Sequence, residues 1–413
     1  PAAPGRPLGL AQQIYLSIYW FSLNFHWGPL LTVVISTHLL RFVPDAEKAR
    51  VLGYILGTGA GVAMVVVPVA GALSDRCRLR LGRRRPFVVA GTLGNCAALL
   101  ALAYSPTLPV FMASFLAVQL FNNISGAAYH GLIPDMVPEE GRGTASGFMG
   151  LMTMLGTIVG IIVAGALIGG GLITTVYWLI AAVLAAGMLV TLWGVREEPL
   201  RDRHPFSLRR FLAGFWVSPR QEPDFAWVWV TRALVMLGFY TMLGFLNYYV
   251  KDVLRVANFA EATTTVSGAV MVGALASALL SGWLSDRVGR KVIVSFSGLM
   301  MGATALAFVL TRSFGTVVPF GVVFGLGYGA FISVDWALAV DVLPSARSAG
   351  KDMGIWSVAV TLPQVIAPLI GGQLIYFVSL GAGTVAGYQS VYLLAFVYVL
   401  LGSLGVWKIR KAR

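Results

Sequence analysis

Apolar residues along this 413-residue chain gather into twelve runs, at 12–41, 48–74, 86–105, 108–134, 142–169, 173–195, 224–251, 261–285, 290–312, 315–340, 350–379 and 387–408. Each is about 20 residues or longer, enough to cross the roughly 30 Å hydrocarbon layer of a bilayer as a helix. The pattern predicts an all-α integral membrane protein with twelve transmembrane helices. The longest polar interval divides six spans from six, which predicts an N-terminal six-helix bundle over 1–195, a cytoplasmic linker over 196–223 and a C-terminal six-helix bundle over 224–413. Within the linker, Phe206, Phe211, Phe215 and Trp216 among arginines suggest a helix lying on the membrane surface.

Composition sharpens this picture. Hydrophobic residues make up 57% of the chain and charged residues only 11%, against roughly 25% charged in soluble domains. The 48 glycines sit within apolar runs, where they allow close helix approach in lipid. A net charge of +13 would fit nucleic acid only if the cations formed one patch, and they do not. With both termini on one side, 23 of the 30 lysines and arginines fall in loops on that side and 6 on the other, Arg232 lying inside a span. The positive-inside rule then places both termini in the cytoplasm of a bacterial cell, with the chain in the inner membrane. The first run is too long for a cleaved signal peptide and reads as an uncleaved anchor.

The two cysteines, Cys77 in the most basic loop and Cys96 within a span, suggest no disulfide and no metal site. There is no Walker sequence and no nucleophile elbow, and the glycines of Gly325–Gly329 read as packing. The sequence therefore predicts neither an enzyme nor an ATP-driven pump, with no metal and no cofactor beyond a proton as coupling ion. A monomer embedded in lipid is expected.

One hexapeptide pattern, G-x-L-S-D-R, stands at Gly71–Arg76 and again at Gly282–Arg287, 211 positions later, with Gly82-Arg83-Arg84 and Gly289-Arg290-Lys291 following. Span 4 ends with Asp135 and Pro138, span 10 with Asp341 and Pro344, the same three-residue spacing at the same point of each half. Two pseudo-symmetric halves match the major facilitator fold, whose substrate sits near midplane between halves that alternate in access. Asp75, Arg76, Arg83, Arg84, Asp135 and Arg142 in one half, with Asp286, Arg287, Arg290 and Asp341 in the other, form the expected cytoplasmic gate. Asp75 is expected near the start of span 11 (348–350) and Asp286 near the start of span 5 (141–144), each at a positive helix end.

The first motif carries four extra residues, Arg78 to Leu81, before Gly82, so that the segment Asp75–Phe87 resembles the sucrose–proton symporters of plants and their relatives in the glycoside-cation symporter group. Asn122, Asn123, Leu132 and Asp135 follow the same family's spacing. The resemblance implies a sugar substrate, a disaccharide or glucoside, moved with a proton. Two positions depart from it. Gln119 stands where the family has its span-4 acid, three residues before the Asn-Asn pair, and an amide cannot titrate. His130 stands where the plant members have arginine.

Ionisable groups inside a bilayer are costly unless paired or wet, which makes them functional candidates. Asp335 is the one carboxylate well inside a span, and Arg232 lies at a similar depth in span 7. An Arg232–Asp335 pair is expected, either opening when a proton binds Asp335 or permanently neutralising two charges. His26 and His130 are further proton-handling candidates, against the simpler role of hydrogen-bonded structural groups. A sugar site needs amides or carboxylates for paired hydroxyls and aromatic faces for the ring. Trp20, Asn24 and Trp27 share one face of span 1, and span 4 offers Gln119, Asn122 and Asn123. Tyr240 and Asn247 in span 7, Trp336 in span 10, and Trp356 and Gln364 in span 11 complete the set.

These observations favour a secondary active transporter that moves a sugar by proton symport. An uncoupled sugar facilitator and a proton-driven exporter of amphipathic drugs share the fold, although span 5 lacks the Gly-Pro pair usual in drug antiporters. A receptor or assembly factor on the same scaffold would not need a midplane lined with amides and an acid.

Overall fold

The computed structural model describes residues 9–79, 82–137, 141–195, 197, 222–342 and 349–410, apart from the side chains of residues 133, 134, 142, 279, 340, 341 and 349–355. The surface helix expected in the linker, the Arg142 and Asp341 side chains of the expected gate, and the expected partner of Asp75 at 348–350 lie outside that description.

The first helix, α1, runs Leu10–Pro29 and continues through a π turn at Leu30–Val34 into Ile35–Leu39. Pro29 has no N–H to give, and the wider turn follows directly on it. The remaining helices are α2 (Lys48–Ser74), α3 (Arg85–Ala103), α4 (Leu108–His130), α5 (Arg142–Gly169), α6 (Ile173–Gly194), α7 (Pro223–Gly244), α8 (Phe259–Val288), α9 (Arg290–Leu310), α10 (Phe314–Asp341), α11 (Ala349–Ala382) and α12 (Thr384–Gly405). Of the described helices, α2 to α12 are each long and apolar enough to cross a membrane. At 30 residues the α1 run is about 45 Å long, which is length enough to span the same layer.

The predicted runs and the helices agree to within a few residues, with two informative differences. Span 4 ends at His130, and a separate short helix, Leu132–Met136, carries Asp135. Span 7 breaks after Gly244 and resumes as Leu246–Asp252.

The described residues form two compact units. In the first, α1 packs on α5 and α6, and α3 packs on α4 and α6. In the second, α7 packs on α11 and α12, and α9 packs on α10 and α12. These are the same four pairings advanced by six helices, so the repeat read in the motifs extends to packing. The second unit adds a tight α8–α10 crossing, where a Cβ on Gly273, Gly325 or Gly329 would overlap the facing backbone carbonyl. Only a residue without a side chain permits that approach.

Residues 44–57 pack with the second unit although they precede it in sequence. A Cβ on Gly53 would overlap the Pro368 carbonyl, one on Gly57 would lie 2.6 Å from Leu369 Cγ, and one on Gly372 would lie 2.6 Å from the Ala49 oxygen. The first turns of α2 and the middle of α11 therefore touch backbone to backbone. In the first unit, Gly59 lies against Phe115 and Gln119 of α4.

The duplicated motif also repeats in backbone conformation. Gly82 (φ 102°) and Gly289 (φ 106°) turn the chain into α3 and α9 with a φ that strains any residue bearing a Cβ.

Candidate functional site

In the second unit, helical spacing assembles a charged and aromatic cluster. Arg232 and Tyr240 lie eight residues apart on α7, Tyr328 and Asp335 seven apart on α10, and Trp356 and Gln364 eight apart on α11, about two turns in each case. Each pair therefore shares a face. Arg232 Nη1 donates to Asp335 Oδ2, and the two residues are 6% and 1% exposed. Two charges this deep in an apolar bundle are tolerable only together. Removing one partner of such a pair costs about 3–5 kcal/mol.

Above the pair, the Trp356 ring covers the guanidinium, with Cζ 3.4 Å from the ring centroid. Gln364 Nε2 donates to Tyr240 Oη at 2.6 Å, linking α11 to α7. Tyr328 stacks on Phe239 with centroids 4.1 Å apart, and Tyr240 and Tyr328 both lie within electrostatic range of Arg232. Arg232 Nε and Trp356 Nε1 are buried and have no hydrogen-bond partner among the described residues.

The candidate residues of the first unit gather around α1 and α4. Trp20 stacks on His130 at 4.4 Å with the planes 16° apart. Asn24 Nδ2 donates to the Trp20 carbonyl at 2.8 Å and reaches Thr153 Oγ1 at 3.5 Å. Asn123 Nδ2 donates to the backbone and side-chain oxygens of Gln119 at 2.7 and 3.2 Å. Trp27 lies against the ring of His26, which is fully buried, with neither ring nitrogen hydrogen-bonded among the described residues.

Three expected substrate residues are placed otherwise. Asn122 faces α3, where its Oδ1 accepts from Asn95 Nδ2 at 3.1 Å. A residue adjacent to Asn123 on a helix must point about 100° away from it, so the two neighbours cannot serve one site equally. Asn247 is 2% exposed and accepts from Thr263 Oγ1 at 3.0 Å, securing the break in span 7. Trp336 is 55% exposed and stands one residue off the face that carries Asp335.

At the arginine-rich end of the first unit, Arg84 ties three segments together. It pairs with Asp75 at 2.5 Å and with Asp135 at 3.1 Å, and it donates to Ser74 Oγ at 2.7 Å. Arg83 Nε also reaches Asp135, at 3.1 Å. The backbone N–H groups of Arg84 and Arg85 donate to Glu197 Oε2 at 2.9 and 3.0 Å, so a carboxylate sits on the N-terminus of α3. Arg76, two residues past the end of α2, donates to Ala72 O in its last turn.

The second copy is wired more locally. Asp286 lies 3.8 Å from Arg290, which donates to Ala337 O at 2.7 Å. Arg287 lies over the Trp283 ring at 3.9 Å.

Sequence reasoning missed Tyr328, Glu197 and a second buried ion cluster. In the last of these, Lys48 is 3% exposed and donates to Asp45 at 3.1 Å and Asp252 at 2.8 Å. Lys251 also reaches Asp45 at 3.1 Å, and Tyr388 Oη donates to Asp252 at 2.7 Å. Hydrogen bonds from Lys48 and Lys251 hold the Asp45 carboxyl below the usual carboxylate range. The Asp45 and Lys48 charges border polar loops in the sequence, where nothing distinguishes a buried lysine from a solvated one. Tyr328 sits seven residues before Asp335, a spacing that would have found it.

Residues 30–407 match the MFS/sugar transport protein family. The chain is 23% identical over 394 residues to the MFS-type transporter YuxJ of Bacillus subtilis, covering 93% of this chain and 94% of that one. It is 22% identical to the multi-drug resistance efflux pump PmrA of Streptococcus pneumoniae, over 87% of this chain and 88% of the pump. It is also 21% identical to the sucrose transport protein SUC4 of Arabidopsis thaliana, over 85% and 81% of the two chains. The solved structure of the nucleoside transporter NupG superposes with a TM-score of 0.76 at 15% identity, over 96% of this chain and 98% of the other. With twelve long helices among the described residues, packed in two repeated arrangements, and a family match across nearly its whole length, the chain belongs to the MFS/sugar transport protein family of multi-pass membrane transporters.

Proposed function

We propose that this protein is a proton-coupled transporter of a sugar or sugar-like solute in a bacterial cytoplasmic membrane, with its termini in the cytoplasm and Asp335 carrying the proton. The observation that carries the reading is the buried Arg232–Asp335 pair beneath Trp356. In a low-dielectric site the pair is stable while both charges are present, and protonation of Asp335 removes one of them. The freed guanidinium then changes partners, which gives two arrangements of the same side chains. Such bistability is what a coupling ion needs in order to shift a conformational equilibrium. The family match and the sucrose-transporting relative support a sugar, and Tyr240, Trp356 and Gln364 of the second unit supply aromatic faces and an amide for one. With Gln119 unable to titrate, the acid of the coupling site moves to the second unit.

The test is uptake of labelled sucrose, maltose and glucuronate into proteoliposomes with and without an inward proton gradient, for wild type and Asp335→Asn. Accumulation that needs the gradient and fails in the variant supports the reading. Equilibration of a sugar without regard to the gradient would make the protein a facilitator and Asp335 a structural partner. A second reading, drug efflux, rests on the likeness to PmrA; gradient-driven movement of amphipathic cations with no sugar flux would favour it.

A further inference from the structure

The hydrogen-bonding inventory around Arg232 is lopsided. Arg232 Nε and Trp356 Nε1 are buried donors without acceptors among the described residues. Tyr240 Oη accepts from Gln364 Nε2, so the hydroxyl proton of Tyr240 is left to donate elsewhere. Against these three donors, the described side chains of the cluster hold one carboxylate, Asp335, whose Oδ2 accepts from Arg232 Nη1. A neutral sugar presents hydroxyls, each of which brings a donor along with its acceptor lone pairs. A carboxylate brings acceptors only, and its two oxygens match the fork of a guanidinium.

Charge balance points the same way. The resting pair is neutral. A proton taken from water onto Asp335 breaks the Nη1–Oδ2 ion pair and leaves the Arg232 charge buried without a counter-ion, a state that costs several kcal/mol. A neutral solute cannot restore neutrality, whereas a monoanion can. Proton and anion then make each other's binding favourable, and the site carries no net charge before or after. On α7, Asp224 lies eight residues before Arg232 and accepts from the Arg410 backbone N–H. On the elements packed against α10, Arg290 of α9 donates to the Ala337 carbonyl, and α8 meets α10 through Ala274, Ser277 and Gly282. On α7 and α11 the facing groups are Tyr240, Trp356 and Gln364.

We infer that the solute of this site is a sugar acid, a polyhydroxylated monoanion whose carboxylate is taken by Arg232 Nε, Trp356 Nε1 and the Tyr240 hydroxyl when Asp335 is protonated. The inference rests on the proton-coupled reading of Asp335 and narrows its substrate. Gln364 Oε1 remains as an acceptor for a hydroxyl of the same molecule.

The experiment is equilibrium binding of glucuronate, its neutral methyl ester and glucose to the purified full chain at pH 5.5 and 7.5, followed by calorimetry. Wild type is expected to bind glucuronate at least about tenfold more tightly than the ester, and about tenfold more tightly at pH 5.5 than at 7.5. Asp335→Asn imitates the protonated acid, so it should bind glucuronate at least as well as wild type at pH 5.5, with no dependence on pH. Arg232→Gln should lose the preference for acid over ester. Should that variant fail to fold, the neutral double variant Arg232→Gln/Asp335→Asn takes its place.

Equal binding of acid and ester, loss of glucuronate binding in a folded Asp335→Asn, or no saturable glucuronate binding by a folded wild type would each overturn the inference. The two readings fail separately. Gradient-driven uptake of sucrose without acid preference removes the sugar acid and keeps the coupling. Acid-selective binding with gradient-independent uptake does the reverse.

Discussion

The guanidinium carbon of Arg232 lies 3.4 Å from the centre of the Trp356 ring, so one face of the cation is sealed by indole while its edge holds Asp335. A cation in this position is doubly restrained. The π face contributes roughly 2 kcal/mol when desolvated, and the ring's bulk keeps solvent from the ion pair. Trp356→Ala removes both effects and opens a cavity, and is expected to lower stability by about 3–5 kcal/mol. Trp356→Phe should lose much less, because a ring face remains. Melting of the detergent-solubilised variants checks the order. Equal losses from the two substitutions would show that the stack is incidental.

The pair itself predicts strong non-additivity. Arg232→Gln or Asp335→Asn alone alters the charge balance of a buried site, and the arginine variant should cost about 3–5 kcal/mol. The double variant is neutral and should recover most of that loss, giving a coupling energy of at least about 1 kcal/mol in a double-mutant cycle. Additive effects would mean that water already reaches the pair.

Lys48 makes a comparable prediction at the other cluster. Lys48→Met leaves Asp252 with Tyr388 and Lys251, and should destabilise the protein by about 3 kcal/mol, partly restored by Asp252→Asn. A loss as small as that of an exposed ion pair, below about 1 kcal/mol, would show that the cluster is solvated.

The same cluster carries a pH signature. The folded-state value of Asp45 is depressed, so its contribution is present above the unfolded carboxylate value, near about pH 4. It is lost as pH falls through the lower folded value. Asp45→Asn should therefore melt below wild type at neutral pH and converge with it in acid. With the Asp45 side chain 73% exposed, the difference should be small and shrink with added salt. A gap that persists below that range would assign the effect to something other than charge.

Glu197 predicts a local effect. Its carboxylate accepts from the first two N–H groups leading into α3, and Glu197→Ala should cost about 1 kcal/mol, as loss of an N-cap does. Hydrogen exchange should quicken at Arg84 and Arg85 and leave the middle of α3 protected. Unchanged exchange at those two amides would show that the contact contributes nothing.

Much of the candidate site was legible in the sequence, but unevenly. Arg232 and Asp335 stand out in apolar runs, and similar depth on two spans was enough to pair them. Trp356 and Gln364 could be named as site residues, although their partners could not. The two copies of the duplicated G-x-L-S-D-R motif are wired differently. Arg84 gathers Asp75, Asp135 and Ser74, while Asp286 lies near Arg290 at the start of the next helix. Equal motifs acquire unequal contacts when one copy has four extra loop residues to bend with.

The amide pair shows the limit most clearly. Asn122 and Asn123 are chemically identical neighbours, and only the rotation of α4 against α3 commits one to Asn95 and leaves the other to Gln119. Lys48 shows it again, since a lysine beside a polar loop is buried where it meets Asp252 and the Tyr248 ring, some 200 residues later in the chain.

The sequence by itself determined the number of spans, their near boundaries and the two-fold repeat. A helix in lipid must satisfy its own backbone hydrogen bonds, so apolar length is a local property that a chain displays residue by residue. The tertiary structure alone decided which polar groups meet. That depends on helix rotation and on approach distances of a few ångströms, set jointly by side chains far apart in the chain. The stacking of Trp356 on Arg232, the burial of Lys48 and the turning of Asn122 away from Asn123 are all of this second kind.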